Sequence, residues 1–187
     1  AYFGSAIVTY FFGYSDDMLP KKEEKKEEPQ EIIPAKDEAL LAPVSGKVIP
    51  LSEVRGEAFA GGILGQGAAV IPENGEICAP CDGVISVMYP TGHAVGIKSD
   101  IGAEILIHVG MDTVTLNGSC FDVKVKAGDH VKAGQLLVRA NIEGIKKEGL
   151  DITTPVIVAN TADYMQIKMA AEKSVKRGEV LLNCVSK

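Results

Sequence analysis

The hydrophobic pattern divides the chain into an apolar opening, a charged stretch and a long region of short apolar runs. Residues 1–14 are mostly apolar or aromatic, and an unbroken run of lysine and glutamate follows at 21–28. From about residue 36, short apolar or alternating runs are separated by Gly, Asp and Pro. Short runs with turn residues about every ten positions are typical of sandwiches and barrels. The pattern predicts an all-β fold, an antiparallel β-sandwich or flattened barrel.

Helical patterns in this region are few and short. The candidates are residues 57–64, 142–148 and 163–172. None repeats between strands in the way that crossover helices of a parallel sheet would. We therefore expect a few short helices and no α/β alternation.

The apolar opening predicts a segment that does not belong to the β domain. Residues 1–14 lack the basic start and cleavage site of a signal peptide and fall short of the roughly 20 residues that span a bilayer. We interpret residues 1–18 as the remnant of a longer membrane segment.

The charged stretch predicts a linker between that segment and the domain. Lys21 and Lys25 place like charges at i and i+4, which weakens a helix, and residues 19–35 contain three prolines. A charged stretch interrupted by proline stays extended and solvated. The predicted organisation is therefore a linker at 19–35 and one folded domain at 36–187.

The bulk charge excludes one class of partner. The formal net charge is −6, and the chain has no broad basic face to neutralise phosphates. We therefore expect no binding to nucleic acid.

Two of the three histidines fall in one predicted hairpin. A turn centred on Asp100 and Ile101 would pair His93 with His108 on the same face. Directly opposed residues have Cβ atoms about 4.5–5.5 Å apart, so the two imidazoles could share one bound group. The register depends on the absence of a bulge.

Two facing imidazoles have three uses. Neutral imidazole is a good nucleophile near pH 7 and could carry a phosphoryl group, with the second ring donating to its oxygens. Alternatively, His93, His108 and Asp112 could bind a metal with one open position. The third interpretation is a structural polar pair. Because Thr91 and Asp112 lie close in sequence, we favour a functional pair.

Several motifs carry a resemblance to a known family. They are the H-x-G-x-D-T-V block in residues 105–114, Gly118 after it, Thr91-x-His93 before it, residues 42–46, residues 59–67, the Ala79-Pro80-x-x-Gly83 turn, and the turn at 128–135. Together they resemble the glucose-type enzyme IIA domain of the bacterial phosphoenolpyruvate-dependent sugar phosphotransferase system. The similarity covers about residues 36–187.

The resemblance implies a phosphotransferase role for each site residue. His108 would accept a phosphoryl group from phosphorylated HPr and pass it to a cysteine of the IIB domain. His93 would hold the phosphoryl oxygens, Thr91 would fix the tautomer of His93, and Asp112 would lie at the rim. No cofactor is implied, although the two histidines could hold an adventitious or partner-shared zinc ion.

The resemblance also implies an apolar partner face around the histidines. Its members here would be Phe59, Ile63, Leu64, Tyr89, Leu106 and Val114. The chain departs from the family at Gly96 and Leu106, where aromatic residues are common in the free-standing form, so the face is expected to be smaller. For Ile63 and Leu64, core packing is an equal alternative.

The order of segments resembles permeases in which IIA is fused behind the membrane domain IIC, as in the β-glucoside, sucrose and trehalose group. Residues 1–18 would then be the end of IIC, and the domain would lie on the cytoplasmic side of the cell membrane. A flexible tether would raise the effective concentration of IIA near its IIB domain. The sugar is not identified by this sequence.

Two other functions fit parts of the sequence. The turn around Gly128 resembles biotinyl and lipoyl carrier domains, which need a modified lysine at a hairpin tip, and Lys168 in Gln166–Ala170 only half fits. A zinc peptidase of the β-sandwich type would use His93, His108 and Asp112. It needs an H-x-H element, which is missing here because the residues two before and two after His108 are Leu106 and Gly110. His130, alone in a polar turn, is expected at the surface.

Overall fold

The computed structural model describes residues 35–187. Its strands are β1 (Glu38–Leu41), β2 (Gly46–Pro50), β3 (Gln66–Pro72), β4 (Glu76–Cys78), β5 (Gly83–Met88), β6 (Ala94–Ser99), β7 (Glu104–His108), β8 (Phe121–Val123), β9 (His130–Val131), β10 (Leu136–Ala140), β11 (Thr154–Val158), β12 (Tyr164–Met169), β13 (Ser174–Val175) and β14 (Val180–Ser186). The helices are α1 (Glu57–Ala60) and α2 (Ile142–Lys147), with 3₁₀ turns at Leu51–Glu53, Thr113–Leu116 and Thr161–Asp163.

The strands form three sheets in which every recorded pairing within residues 35–187 is antiparallel. The largest has the order β13-β2-β3-β11-β7-β6-β5-β9, and the two smaller ones have the orders β1-β14-β12 and β4-β10-β8. The all-β prediction is confirmed, and so are short helices near residues 57–64 and 142–148.

The third predicted helix, at residues 163–172, is wrong. The segment forms β12 and pairs with β14, with Ile167 opposite Cys184. Ile167 and Met169 are half-buried and Lys168 between them is exposed, which is the period of two expected of a strand. Pairing with β14 therefore overrides the weak helical pattern.

The central strands are buried on both faces and separate two apolar clusters. Ile105 and Ile107 of β7 pack into the main core, whereas Leu106 between them belongs to a smaller cluster on the other face. The smaller cluster also contains Phe59 of α1, Tyr89 and Ala69 of β3. His108 follows Leu106 at a spacing of two and therefore lies on the side of the smaller cluster.

The predicted register of the β6–β7 hairpin is wrong by one residue. Ala94, not His93, pairs with His108. The loop is odd in length because the Ser99 N–H donates to the Ala103 carbonyl at 2.8 Å, and the Ser99 hydroxyl accepts backbone N–H groups of residues 101, 102 and 103 at 3.0, 3.0 and 3.2 Å. This side-chain cap closes a three-residue turn centred on Ile101, where the turn composition predicted a centre between Asp100 and Ile101.

The predictions for the membrane remnant at 1–18 and for all but the last residue of the linker at 19–35 lie outside the described residues. Within residues 35–187, no helix has both the length and the apolar character needed to cross a membrane.

Candidate functional site

His108 ends β7 and is oriented by the backbone that follows it. Gly110 adopts a left-handed conformation (φ 73°), and its carbonyl lies 2.7 Å from Nδ1 of His108. A carbonyl only accepts hydrogen bonds, so Nδ1 must carry the hydrogen in this contact. The arrangement therefore leaves the lone pair of the neutral ring on Nε2.

His93 reaches the same place from the bend before β6. Gly92 has φ 71°, and the His93 carbonyl accepts the N–H of Val109 at 2.7 Å. The ring centroids of His93 and His108 are 5.0 Å apart with an interplanar angle of 75°. The structure therefore brings the two predicted histidines together, through a bend and not through the predicted direct pairing.

Thr91 contacts the ring of His93, as the sequence predicted. Its hydroxyl oxygen lies 2.5 Å from Nδ1 of His93, and the residue itself is half-buried. A hydroxyl can donate to or accept from an imidazole nitrogen. The contact therefore holds the ring of His93 at Nδ1 and leaves Nε2 at the other end of the ring.

Two aromatic rings enclose the histidine pair. Phe59 of α1 lies 5.3 Å from His108 in an edge-on arrangement, and Tyr89 lies 5.3 Å from His93. The exposed fraction is 0% for His93 and 3% for His108. The imidazoles are therefore largely excluded from water.

Burial sets the protonation of both rings. Loss of hydration lowers the pKa of His108 to about 4, against a smaller opposing effect of the Gly110 carbonyl. Burial, with the neighbouring His108 as a second cause, lowers the pKa of His93 to about 3. Both rings are therefore neutral at pH 7.

Asp112 follows His108 by four residues. Its side chain is exposed, and its backbone is left-handed (φ 58°), a conformation that non-glycine residues rarely adopt. Among residues 35–187, no three His, Cys, Asp or Glu side chains are grouped so that they could hold a metal ion. The described residues therefore give no support to the alternative in which His93, His108 and Asp112 bind a metal.

The six residues predicted to face partners differ in exposure. Ile63 is 51% exposed and Val114 is half-buried. The other four are buried, namely Phe59, Leu64, Tyr89 and Leu106. Leu64 and Leu106 pack in the smaller cluster. For Leu64 and Leu106 the structure thus favours the core alternative.

The remaining candidates lie away from the histidine pair. His130 is exposed and paired with Asp100 at 2.9 Å, as expected of a surface residue. Lys168 lies within β12 opposite Asn183 and not at a hairpin tip, which removes the geometry that a lipoyl or biotinyl carrier requires.

The groups that hold the backbone around Gly110 were not among the predicted site residues. Thr113 donates its hydroxyl to the Val109 carbonyl at 2.7 Å, and the Asp151 carbonyl accepts the N–H of Met111 at 2.8 Å. Thr113 lies inside the H-x-G-x-D-T-V block, so the motif contained a signal for it. Asp151 is distant in sequence, and no pattern pointed to it.

Comparison with known proteins gives consistent matches. A family model described as phosphoenolpyruvate-dependent sugar phosphotransferase system, EIIA 1, matches residues 38–164. The PTS system beta-glucoside-specific EIIBCA component of Halalkalibacterium halodurans is 43% identical over 145 residues, which are 78% of this chain and 23% of that protein. The component of the same description from Bacillus subtilis is 44% identical over 145 residues, 78% of this chain and 24% of that protein.

A solved structure agrees with the sequence matches. Glucose permease IIA from Mycoplasma capricolum superposes with a TM-score of 0.75 and 35% identity, covering 79% of this chain and 96% of that chain. The chain spans about a quarter of the length of the curated relatives named above. The matched region contains both histidines, and the chain belongs to the EIIA 1 family of the phosphoenolpyruvate-dependent sugar phosphotransferase system.

Proposed function

We propose that this domain is a phosphocarrier in which Nε2 of His108 accepts a phosphoryl group from phosphorylated HPr and donates it to a IIB domain. The observation that carries the proposal is the contact between Nδ1 of His108 and the Gly110 carbonyl. It leaves a neutral lone pair on Nε2, next to a second imidazole 5.0 Å away. A neutral imidazole with a defined lone pair is a competent nucleophile at pH 7.

In the proposed transfer, the Nε2 lone pair of His108 forms a bond to phosphorus as the bond between phosphorus and the donor breaks. The electron pair of that bond leaves with the donor, and Nδ1 keeps its hydrogen. The protein has little covalent chemistry to perform, so positioning and charge stabilisation dominate. The reverse sequence passes the group to IIB.

His93 would stabilise the phosphoryl oxygens. If the Thr91 hydroxyl donates to Nδ1 of His93, the ring must carry its hydrogen on Nε2, where it can donate to an anionic oxygen. A hydrogen bond to a charged acceptor is stronger than a neutral one. Thr91 therefore acts in the proposal through the tautomer of His93, and Asp112 marks the rim at which partners approach.

Phe59 and Tyr89 would protect the intermediate. Their rings lie against the two imidazoles and limit the access of water, which would hydrolyse a phosphohistidine. Ile63 is the most exposed apolar residue of the predicted face, and with Val114 it is the proposed contact for HPr and IIB. Leu64 and Leu106 would support that surface from below.

The curated relatives support a proposal about the context of the domain. Both curated relatives are described as EIIBCA components, so we propose that IIB and IIC belong to the same full-length chain and that the domain works at the cytoplasmic side of the membrane. The transfer needs no cofactor, and zinc at His93 and His108 would be adventitious or shared with a partner carboxylate.

The test is to incubate the chain with phosphoenolpyruvate, enzyme I and HPr and to record its intact mass. We expect an acid-labile gain of one phosphoryl group, absent in His108→Gln. In His93→Gln the group should form slowly and pass poorly to IIB. His130→Gln is the matched control, because it removes the exposed histidine and should leave the gain unchanged. A chain that gains no mass, or a His108→Gln variant that still gains it, would overturn the proposal.

A further inference from the structure

The Gly110 carbonyl owes its direction to a residue far along the chain. The N–H of Met111 donates to the carbonyl of Asp151 at 2.8 Å. The peptide between Gly110 and Met111 is planar, and in a trans peptide the C=O and N–H point to opposite sides. Fixing the Met111 N–H therefore fixes the Gly110 carbonyl, which points away from Asp151 and accepts from His108 at 2.7 Å.

The residue before Gly110 is held at both of its backbone polar groups. The Val109 N–H donates to the His93 carbonyl, and the Val109 carbonyl accepts the Thr113 hydroxyl, both at 2.7 Å. Gly110 itself lies between these supports. A Cβ at this position would be 2.6 Å from the methyl carbon of Thr113 and 2.9 Å from the Asp151 carbonyl oxygen. Thr113 and Asp151 therefore bracket Gly110 from two sides.

Asp151 is in turn held by its own side chain. Its Oδ1 accepts both the N–H and the hydroxyl of Thr153, at 2.8 and 2.7 Å. A side chain that bonds the backbone two residues on forms a local turn and limits the motion of its own carbonyl. The support of the Gly110 carbonyl thus extends to the loop before β11.

We propose that Thr113 and Asp151 are positioning residues, which hold the Gly110 carbonyl so that His108 keeps its hydrogen on Nδ1 and its lone pair on Nε2. The inference rests on the proposed function for its effect on phosphoryl transfer, but its effect on the tautomer is independent of it. The hydrogen bonds of Thr113 and Asp151 go to the backbone and to Thr153. Each acts through the direction of one carbonyl.

The chain offers a control in Thr161, which lies beyond the other end of β11. It is half-buried, and its hydroxyl also donates to a backbone carbonyl, that of Val158, at 2.6 Å. No recorded hydrogen bond joins it to Gly110 or to residues 151–153. Replacing either threonine by valine removes the same kind of hydrogen bond, so a difference between the variants reports on the link to His108.

The experiment measures the tautomer of His108 at pH 7 by the ¹⁵N shifts of its two ring nitrogens and the rate of phosphoryl uptake from phosphorylated HPr. In Thr113→Val we expect a larger population of His108 with the hydrogen on Nε2 and phosphoryl uptake about tenfold slower. The expected loss is smaller than the about 100-fold that a 1 Å misplacement of a reacting group can cost. Thr113→Ser keeps the hydroxyl and should restore both. Thr161→Val should match the unaltered chain in both.

A second pair keeps the test decisive if Thr113→Val fails to fold. Asp151→Ala removes the acceptor for Thr153 and should shift the tautomer in the same direction, whereas Asp151→Asn keeps an acceptor and should not. An unchanged tautomer in Thr113→Val and Asp151→Ala would overturn the inference. A shifted tautomer in a chain that accepts no phosphoryl group would support the positioning role and overturn the proposed function instead.

Discussion

His108 differs from a solvent-exposed histidine in two properties that its neighbours explain. The Gly110 carbonyl determines which nitrogen carries the hydrogen, and burial lowers the pKa of the ring to about 4. The first property selects the reacting atom, and the second keeps that atom unprotonated well below neutral pH. Both are set by the fold and not by the residue type, since an unperturbed histidine has a pKa of about 6.5.

The lowered pKa predicts how stability depends on pH. Between about pH 6.5 and pH 4, His108 takes up a proton in the unfolded chain but not in the folded one, so the free energy of unfolding falls as pH falls. A drop from pH 7 to pH 5 should cost roughly 2 kcal/mol through His108.

Urea unfolding at the two pH values measures this cost. His108→Gln should lose less stability over the interval than the unaltered chain, and His130→Gln, which removes an exposed histidine, should behave like the unaltered chain. An equally steep decline in His108→Gln would contradict a depressed pKa at this residue.

At the scale of elements, α1 is a short helix whose main contribution to the site is one ring. It spans only Glu57–Ala60, and Phe59 on it is 6% exposed and packs against His108. The helix begins after Gly56 (φ 96°) and is followed by Gly61 and Gly62 (φ 69°). Glycines at both ends let the chain turn sharply, so that so short a helix can cover the histidine.

Removing that ring should expose the site. In Phe59→Ala, water reaches His108, so we expect its pKa to rise toward the ordinary value and its phosphorylated form to hydrolyse faster. The pKa can be measured by NMR titration, and the hydrolysis by the loss of the added mass with time.

The control for this variant is Val54→Ala, which also removes side-chain volume from the smaller cluster. It should lower stability, as large-to-small core substitutions do, without moving the pKa of His108. The expected role of Phe59 would be wrong if both variants left that pKa and the hydrolysis rate unchanged.

Elements were predicted well where one hydrophobic pattern dominated, and poorly where a side-chain hydrogen bond or the pairing of two strands determined the local structure. Alternation and turn residues were sufficient to predict an all-β fold. The hairpin centre was misplaced because the Ser99 hydroxyl caps three backbone N–H groups, a contact that turn composition does not encode. Residues 163–172 were misassigned because the segment is a strand by virtue of its pairing with β14, a contact that a helical pattern within the segment does not encode.

At the scale of the whole molecule, the site is assembled from parts that are distant in sequence. The β6–β7 hairpin contributes the histidines, α1 contributes Phe59, and the loop before β11 contributes the carbonyl of Asp151. The histidines and Thr91 could be predicted because a motif joins them locally. The support by Asp151 could not, since it depends on how strands β7 and β11 pair.

Phosphoryl transfer at this site is tested most directly by which nitrogen of which histidine carries the phosphoryl group. The chain can be labelled with ¹⁵N, phosphorylated through HPr and analysed by NMR for coupling between phosphorus and the imidazole nitrogens. We predict coupling to Nε2 of His108, with Nδ1 of the same ring still bearing hydrogen. Coupling to Nδ1 of His108, or to a nitrogen of His93, would contradict the account.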